Sequence, residues 1–311
     1  MAKIIGPGSL VVDVTGFAPH LPKEGETVPG STVRFGPGGK GSNQLTAARR
    51  AGSDVLIISR RGQDFLGQIM KAHYDAEGMS EKYVSIVDGE ETGSALIEID
   101  ESNAQNRIIV ILAANTRVTR EDVLAAEADF ADADAVLTQF ETSEEAMEAA
   151  KELAIKYRKP FILNPAPYFP VPASVFEGVD YVTPNETETE YMTGIPVNTV
   201  EDCRAAAKKI LDMGVKNVII TLGVRGAFYT NGEKELLVPS LKVKAVETTG
   251  AGDAFNGGLA TAIAEGASIE RALEFATCTA AISVTRVGSS PSMPHREEIL
   301  DLMKKEFGTT L

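Results

Sequence analysis

The sequence predicts an α/β fold, a layered core on a mainly parallel sheet with a small second sheet beside it, and three observations predict it. Short β-branched runs alternate with amphipathic stretches along most of the chain. Helix starts are legible between them. Two segments, about 10–36 and 93–112, hold strand patterns with no helix between the strands. Strands alternating with helices build βαβ units, whose parallel sheet is covered by helices.

Taken in order, LVVDVTGF (10–17) and TVRF (32–35) open the chain as strands, and VLIIS (55–59) begins the alternation. SALIEID (94–100) and RIIVIL (107–112) again read as paired strands. AVLTQ (135–139), FIL (161–163), YVT (181–183) and NVIIT (217–221) follow, each with a helical stretch nearby. Thr142 and Glu145 have capping-box spacing before MEAAKELAIKY, and Ser268 precedes an Ala-rich helix running to about Arg286. The segments 10–36 and 93–112 pair either with each other, as a small lid over the carboxyl ends of the core strands, or as an antiparallel extension of the main sheet; the lid is the expectation.

The length of 311 residues leaves one or two domains open on composition alone. A net charge of −14 argues against a general nucleic-acid or anionic-membrane binder, which needs excess Lys and Arg, but leaves room for an amide-lined phosphate pocket. Cys203 and Cys278 match no metal-ligand spacing and read as reduced, packed thiols. With no signal-peptide pattern and no apolar run of about 18 residues, the expectation is a soluble, cytoplasmic protein.

Four clusters carry chemistry. In ETTGAGDAFNGGLA (247–260), Gly250, Ala251 and Gly252 precede a helix with Asp253 in its first turn. Small residues expose backbone amides there, which with the helix dipole suit the charge on a transferring phosphoryl group, while Asp253 can accept a proton from an alcohol. The same residues also read as a tight turn and a helix cap. FGPGGKGSNQLTAARRAG (35–52) is a glycine-rich turn before a helix, neither a Walker A loop nor a dinucleotide fingerprint, and its amides, Lys40 and Asn43 offer donors to hydroxyls. TPNETETE (183–190) sets carboxylates at a strand end, where they either hold Mg²⁺ beside a triphosphate or start a solvated acidic helix. TLGVRGAFY (221–229) is a strand, a glycine turn and a strand that either passes beneath a nucleotide or forms an ordinary hairpin.

In this order, GPGGKGSN, NPAP, TPNETE, TLGVRG and TTGAGDAFNG resemble the ribokinase, or PfkB, family of sugar kinases, and the match spans nearly the whole chain. TGSALIEIDESNAQNRIIV and AAISVTRVGSSPSMP agree with typical ribokinase segments. The resemblance implies a ribokinase-like three-layer α/β/α core with a β-sheet lid, one kinase unit over 1–311, and ATP-dependent phosphorylation of a small sugar. It implies Asp253 as catalytic base and the amides of Gly250, Ala251 and Gly252 as the anion hole. Asp13, Gly39, Lys40, Asn43 and Glu141 match sugar-contacting positions. Asn185, Thr221, Gly223 and Gly226 match nucleotide-binding positions, and Glu188 one tied to Mg²⁺ through water. Glu247, Thr249, Gly288 and Ser292 fall where ligands of a K⁺ ion would be. A homodimer joined lid to lid is also implied.

The chain departs from the family pattern twice. GSLVVD stands where ribokinases read GSxNxD, so Val11 replaces an amide that meets a ribose hydroxyl, and Glu247 stands where Asp is commoner. Ribose is the first expectation, with 2-deoxyribose, fructose or another ketose as alternatives and a silent sugar or nucleotide sensor as the reading from a different class.

Overall fold

Burial sorts the strands before pairing does. In the computed structural model, which describes residues 1–103 and 105–311, β1 (Lys3–Pro7), β8 (Ala135–Gln139) and β9 (Phe161–Asn164) are buried on both faces apart from Lys3, as parallel strands covered by helices must be. They join β4 (Asp54–Gly62), β5 (Ser80–Val87), β10 (Tyr181–Val182), β11 (Asn217–Thr221), β12 (Ala227–Thr230) and β13 (Glu235–Val238) in the order β13-β12-β11-β10-β9-β8-β1-β4-β5. From β5 to β11 the sheet is parallel, and β12 and β13 close one end antiparallel.

Alternation along the strands divides the core. Ile5, Val136, Leu163, Val218 and Ile220 face one way, toward α3 (Arg120–Leu124), α4 (Glu127–Asp132), α5 (Glu144–Tyr157), α6 (Glu186–Thr193) and α7 (Val200–Leu211). Ile4, Leu137, Ile162 and Ile219 face the other, toward α1 (Lys40–Arg50), α2 (Phe65–Glu77), α8 (Ala251–Ala264), α9 (Ile269–Ser283) and α10 (Arg296–Phe307). This is the expected three-layer α/β/α core. Ser268 caps α9 as its sequence suggests. The start of α5 is corrected: Ser143, not Thr142, is the cap, its Oγ accepting from the Ala146 amide, while Thr142 Oγ1 is buried without a partner.

The small sheet is separate, not an extension of the main one. It runs β3 (Thr32–Gly38), β2 (Val11–Ala18), β6 (Gly93–Asp100), β7 (Asn106–Ile111), with β2 and β6 parallel and the other pairs antiparallel. Residue 104 of the expected lid segment 93–112 lies outside the described residues. Register assigns the lid's apolar residues to two faces. Phe35, Val14, Leu96 and Ile109 form one cross-strand row, whereas Asp13, Ala95 and Val110 lie on the opposite face.

Candidate active site

Strand β1 pairs with β4 on one side and β8 on the other, so consecutive connections diverge at its carboxyl end and open a crevice there. The chain leaves β1 through Gly8 and Ser9 and enters the lid. A Cβ on Gly41 would stand 2.3 Å from the Ser9 nitrogen and 2.5 Å from Gly8 Cα, so the start of α1 packs backbone to backbone against this turn. Gly39, at φ 86°, supplies the bend into the helix. The packing fixes Glu141, whose Oε2 accepts from Ser9 Oγ at 2.6 Å and from the Lys40 amide at 2.8 Å.

Asp253 lies in the first turn of α8, buried, and each of its oxygens faces an amide of α1. Asn43 Nδ2 donates to Oδ2 at 2.9 Å and Gln44 Nε2 to Oδ1 at 3.0 Å. The two helices meet closely at Gly257, where a Cβ would lie 2.4 Å from the Gln44 carbonyl oxygen. Gln44 also donates to Asn164 Oδ1 at 3.0 Å and accepts from Gln139 Nε2 at 2.9 Å, tying Asp253 to the ends of β8 and β9. Asn43 Oδ1 accepts from Ser290 Oγ at 2.6 Å. Gly250, at φ 80°, precedes α8, and no side chain caps the helix. The Ala251 amide donates to the Thr248 carbonyl at 3.2 Å, so of the three expected anion-hole amides this one is engaged in a turn. A Cβ on Gly252 would meet nothing within 4 Å, so neither packing nor backbone strain demands glycine there.

Asp13 reaches the crevice from the lid and accepts from Ser289 Oγ at 3.0 Å through Oδ2. Burial pushes its carboxyl up to about 6, with the nearby carboxylates of Asp253, Glu141 and Glu247 adding to the rise against the Ser289 hydrogen bond. Burial alone would lower Lys40, but Asp253, Glu141 and Glu188 around it hold its ammonium above the ordinary value. Glu188 is raised by burial, against the Asn185 amide and Lys40, with Asp253 adding to the rise.

Asn185 caps α6 in a reciprocal box: its Oδ1 accepts from the Glu188 amide and Glu188 Oε2 accepts from the Asn185 amide, both at 2.8 Å. The segment is thus a helix start, as the plainer reading had it, yet Glu188 is buried rather than solvated. A parallel bridge sets Asn185 beside Thr221. Gly223 and Gly226 take φ 53° and 100°, and a Cβ on Gly226 would lie 2.0 Å from the Val238 carbonyl oxygen, so the strand exchange there requires glycine. Two cavities meet along Asn185, Thr221, Thr248, Ala251 and Gly252. One of about 160 Å³ holds Lys40, Glu188 and Asp253, and one of about 500 Å³ is walled by Val224, Leu241, Phe255, Ala280 and Val284. The larger is within the range of small-molecule sites, and their shared edge sits at the start of α8, where no side chain caps the helix.

The residues expected around a K⁺ ion are brought only partly together. Glu247 Oε2 accepts from the Gly288 amide at 3.0 Å, Ser292 Oγ donates to the Ser289 carbonyl at 2.8 Å, and Thr249 is half-buried. Among the described residues no three His, Cys, Asp or Glu side chains gather as metal ligands. Sequence reasoning missed Gln44, which reads as an ordinary helix former, and Ser289 and Ser290, whose only signal was the polar stretch GSSPS.

A family model described as pfkB family carbohydrate kinase matches residues 1–296. The chain is 37% identical over 297 residues to a ribokinase of Haemophilus influenzae, covering 96% of this chain and 97% of the relative. It is 36% identical over 292 residues to a deoxyribokinase of Salmonella typhi, covering 94% and 95%. The structure of an Arabidopsis thaliana ribokinase complexed with ribose and ATP superposes with a TM-score of 0.89 at 32% identity, covering 98% of this chain and 99% of that one.

Proposed function

The chain belongs to the PfkB family of carbohydrate kinases, and within that family we propose that it carries the γ-phosphoryl of ATP to the terminal hydroxymethyl oxygen of a small sugar, ribose first. The observation that carries this reading is the joint of the two cavities at the start of α8. A nucleotide in the larger cavity would direct its phosphates at the Gly252 end of the helix, toward the smaller cavity that Asp253 lines, where a sugar hydroxyl would meet them in line.

Asp253 accepts the hydroxyl proton as the oxygen attacks phosphorus and the bond to the β-phosphate oxygen breaks, leaving ADP and the sugar phosphate. Asn43 and Gln44 hold its carboxylate in place, and the amides at the start of α8, with Lys40, face the charge on the moving phosphoryl group. Asp13, Gly39, Lys40, Asn43 and Glu141 hold the sugar, while Asn185, Thr221, Gly223 and Gly226 line the nucleotide's path. Mg²⁺ fits beside Glu188 through water, because a single buried carboxylate leaves its other ligands to phosphate and solvent, and when bound it neutralises phosphate charge. Glu247, Thr249, Gly288 and Ser292 would hold K⁺, which would add positive charge beside the anion hole.

Core and lid act as one unit over 1–311, since Asp13 and Asp253 serve one sugar. The outer row Phe35–Leu96–Ile109, with Ile109 64% exposed, supports a homodimer joined through the lids. Among the described residues no helix is long and apolar enough to cross a membrane, and with the acidic surface this supports a cytoplasmic enzyme.

A screen of pentoses and hexoses with ATP, read as ADP release, tests the reading. Sugar-dependent release with ribose among the best acceptors is expected, and no release with any sugar rejects it.

A further inference from the structure

Asp253 brings two groups to the start of α8, its carboxylate and its own backbone amide, and one residue at the end of β10 reaches both. α8 begins at Ala251, so the amides of Gly252 and Asp253 lie in the first turn, where the helix offers them no acceptor. The Ala251 amide is engaged with the Thr248 carbonyl, but neither of the other two takes a partner among the described residues. The Asp253 amide and the Gly252 carbonyl belong to one planar trans peptide, whose N–H and C=O point in opposite directions. Whatever holds the carbonyl therefore aims the amide.

Asn256 holds it. Its Nδ2 donates to the Gly252 carbonyl at 2.8 Å, and its Oδ1 accepts from Thr183 Oγ1 at 2.6 Å. A side chain that bonds back to the carbonyl four residues before it is common in helices and needs no function. Two things set Asn256 apart: its far end is anchored outside the helix, and both Asn256 and Thr183, each 1% exposed, line the smaller cavity with Asp253.

The main chain of the same threonine anchors the carboxylate. The Thr183 amide donates to the Leu163 carbonyl at 3.0 Å, and its carbonyl accepts from Asn164 Nδ2 at 2.8 Å. Asn164 Oδ1 accepts from Gln44 Nε2, which also donates to Asp253 Oδ1, both at 3.0 Å. The bonds close a ring from the Asp253 carboxylate through Gln44, Asn164, Thr183, Asn256 and Gly252 back to the Asp253 amide. In a buried ring whose members satisfy one another, the two ends cannot shift independently.

We propose, on the strength of the kinase activity proposed above, that Thr183 and Asn256 are positioning residues for phosphoryl transfer. Thr183 sets Asn256, Asn256 sets the 252–253 peptide, and that peptide aims the Asp253 amide at the charge on the moving phosphoryl group. Neither side chain takes a proton or forms a bond in the reaction. Because such a donor acts on charge that develops in the transition state, its misalignment costs rate and leaves ground-state binding intact.

Thr183→Val, which keeps the shape and removes the hydroxyl, tests this with the sugar that the wild type phosphorylates best. It is expected to lower kcat ~10- to 100-fold, below the ~10²- to 10³-fold of losing a donor outright, with both KM values within ~3-fold. Affinity for Mg²⁺-ADP with aluminium fluoride, a stand-in for the transferring phosphoryl group, should fall by a similar factor, while affinity for Mg²⁺-ADP alone should not change. Thr183→Ser, which returns the hydroxyl, should recover most of the rate. Asn256→Ala should give the Thr183→Val signature, and the double variant should be no more than a few-fold slower than Asn256→Ala, since one residue acts through the other. A Thr183→Val kcat within ~3-fold of wild type overturns the proposal. So does an equal loss of affinity for ADP with and without aluminium fluoride, the mark of a merely structural role, and so does a serine that rescues nothing. If Thr183→Val does not fold, Asn256→Ala decides by the same readings. A wild type that phosphorylates no sugar overturns the kinase reading and this proposal together, whereas an active wild type with an unaffected variant overturns this proposal alone.

Discussion

The start of α8 and the lid face each other across one crevice and are built on opposite principles. At α8 the carboxylate of Asp253, the proposed base, is buried, each oxygen is met by an α1 amide, and those amides are tied in turn to β8, β9 and the 288–290 turn. In the lid, Asp13 sits on a four-stranded sheet whose outer row is apolar and exposed. A network whose members satisfy one another holds geometry at a cost paid in folding, whereas a thin sheet with an uncovered face is free to move and to find a partner. The first region thus suits the chemical step, the second suits closure on the sugar, and each can be broken alone.

The largest effect is expected at α8. Asp253→Asn should lower kcat by at least ~10²-fold while sugar and ATP binding change only a few-fold, measured by turnover and calorimetry. Near wild-type turnover would remove Asp253 as the base. Gln44→Leu tests whether the network, not only the carboxylate, matters. It should lower kcat by ~10- to 100-fold with little change in KM, since a displaced base costs rate rather than binding. Leaving Gln139 and Asn164 without their partner should also cost ~1–3 kcal/mol of stability, read by denaturant unfolding.

Breaking the lid should give the opposite signature. Ile109→Asp, in the outer row, should dissociate the dimer in light scattering and raise the sugar KM by about 10-fold with kcat held within a few-fold, because a lid without its partner closes less well. A wild-type monomer, or a dissociated variant with unchanged KM, would separate assembly from closure. The gentlest probe is pH. Asp13 is held up to about 6 by burial and by Asp253, Glu141 and Glu247 against the Ser289 hydrogen bond, so it gains a proton as pH falls through 6 and loses its power to accept from the sugar. The sugar KM should rise below pH 6, by no more than about 10-fold per unit, while the ATP KM should rise less. A sugar KM flat from pH 7 to 5 would show that Asp13 does not bind the sugar as a carboxylate.

Legibility follows the same division. Asp253 stood out because small residues surround it at a helix start, and Gly252, in the first turn of α8 with empty space where a Cβ would go, is not required by packing. Gln44 was invisible because a glutamine inside a helix is an ordinary residue until its neighbour across the groove is known. The lid strands were legible as strands, but not the parallel pairing of β2 with β6 across some 80 residues, nor the division of their apolar residues between two faces, since that depends on register. Thr142 and Ser143 show the finer limit: both can cap a helix by residue type, and the backbone makes Ser143 the cap while it buries Thr142 Oγ1 without a partner.

By itself the sequence determined the kind and order of the elements, because periodicity, caps and glycine turns act within a few residues and need no partner. It also picked out the residues that the structure places at the carboxyl ends of β10 and β11 and at the start of α8, beside the two cavities. Only the tertiary structure decided which of them meet. Ser289 reaches Asp13 across 276 positions, and Gln44, on a helix packed closely against α8 at Gly257, joins Asp253 to Asn164. Such contacts are set by how whole helices and sheets pack, and packing is a property of the assembled chain.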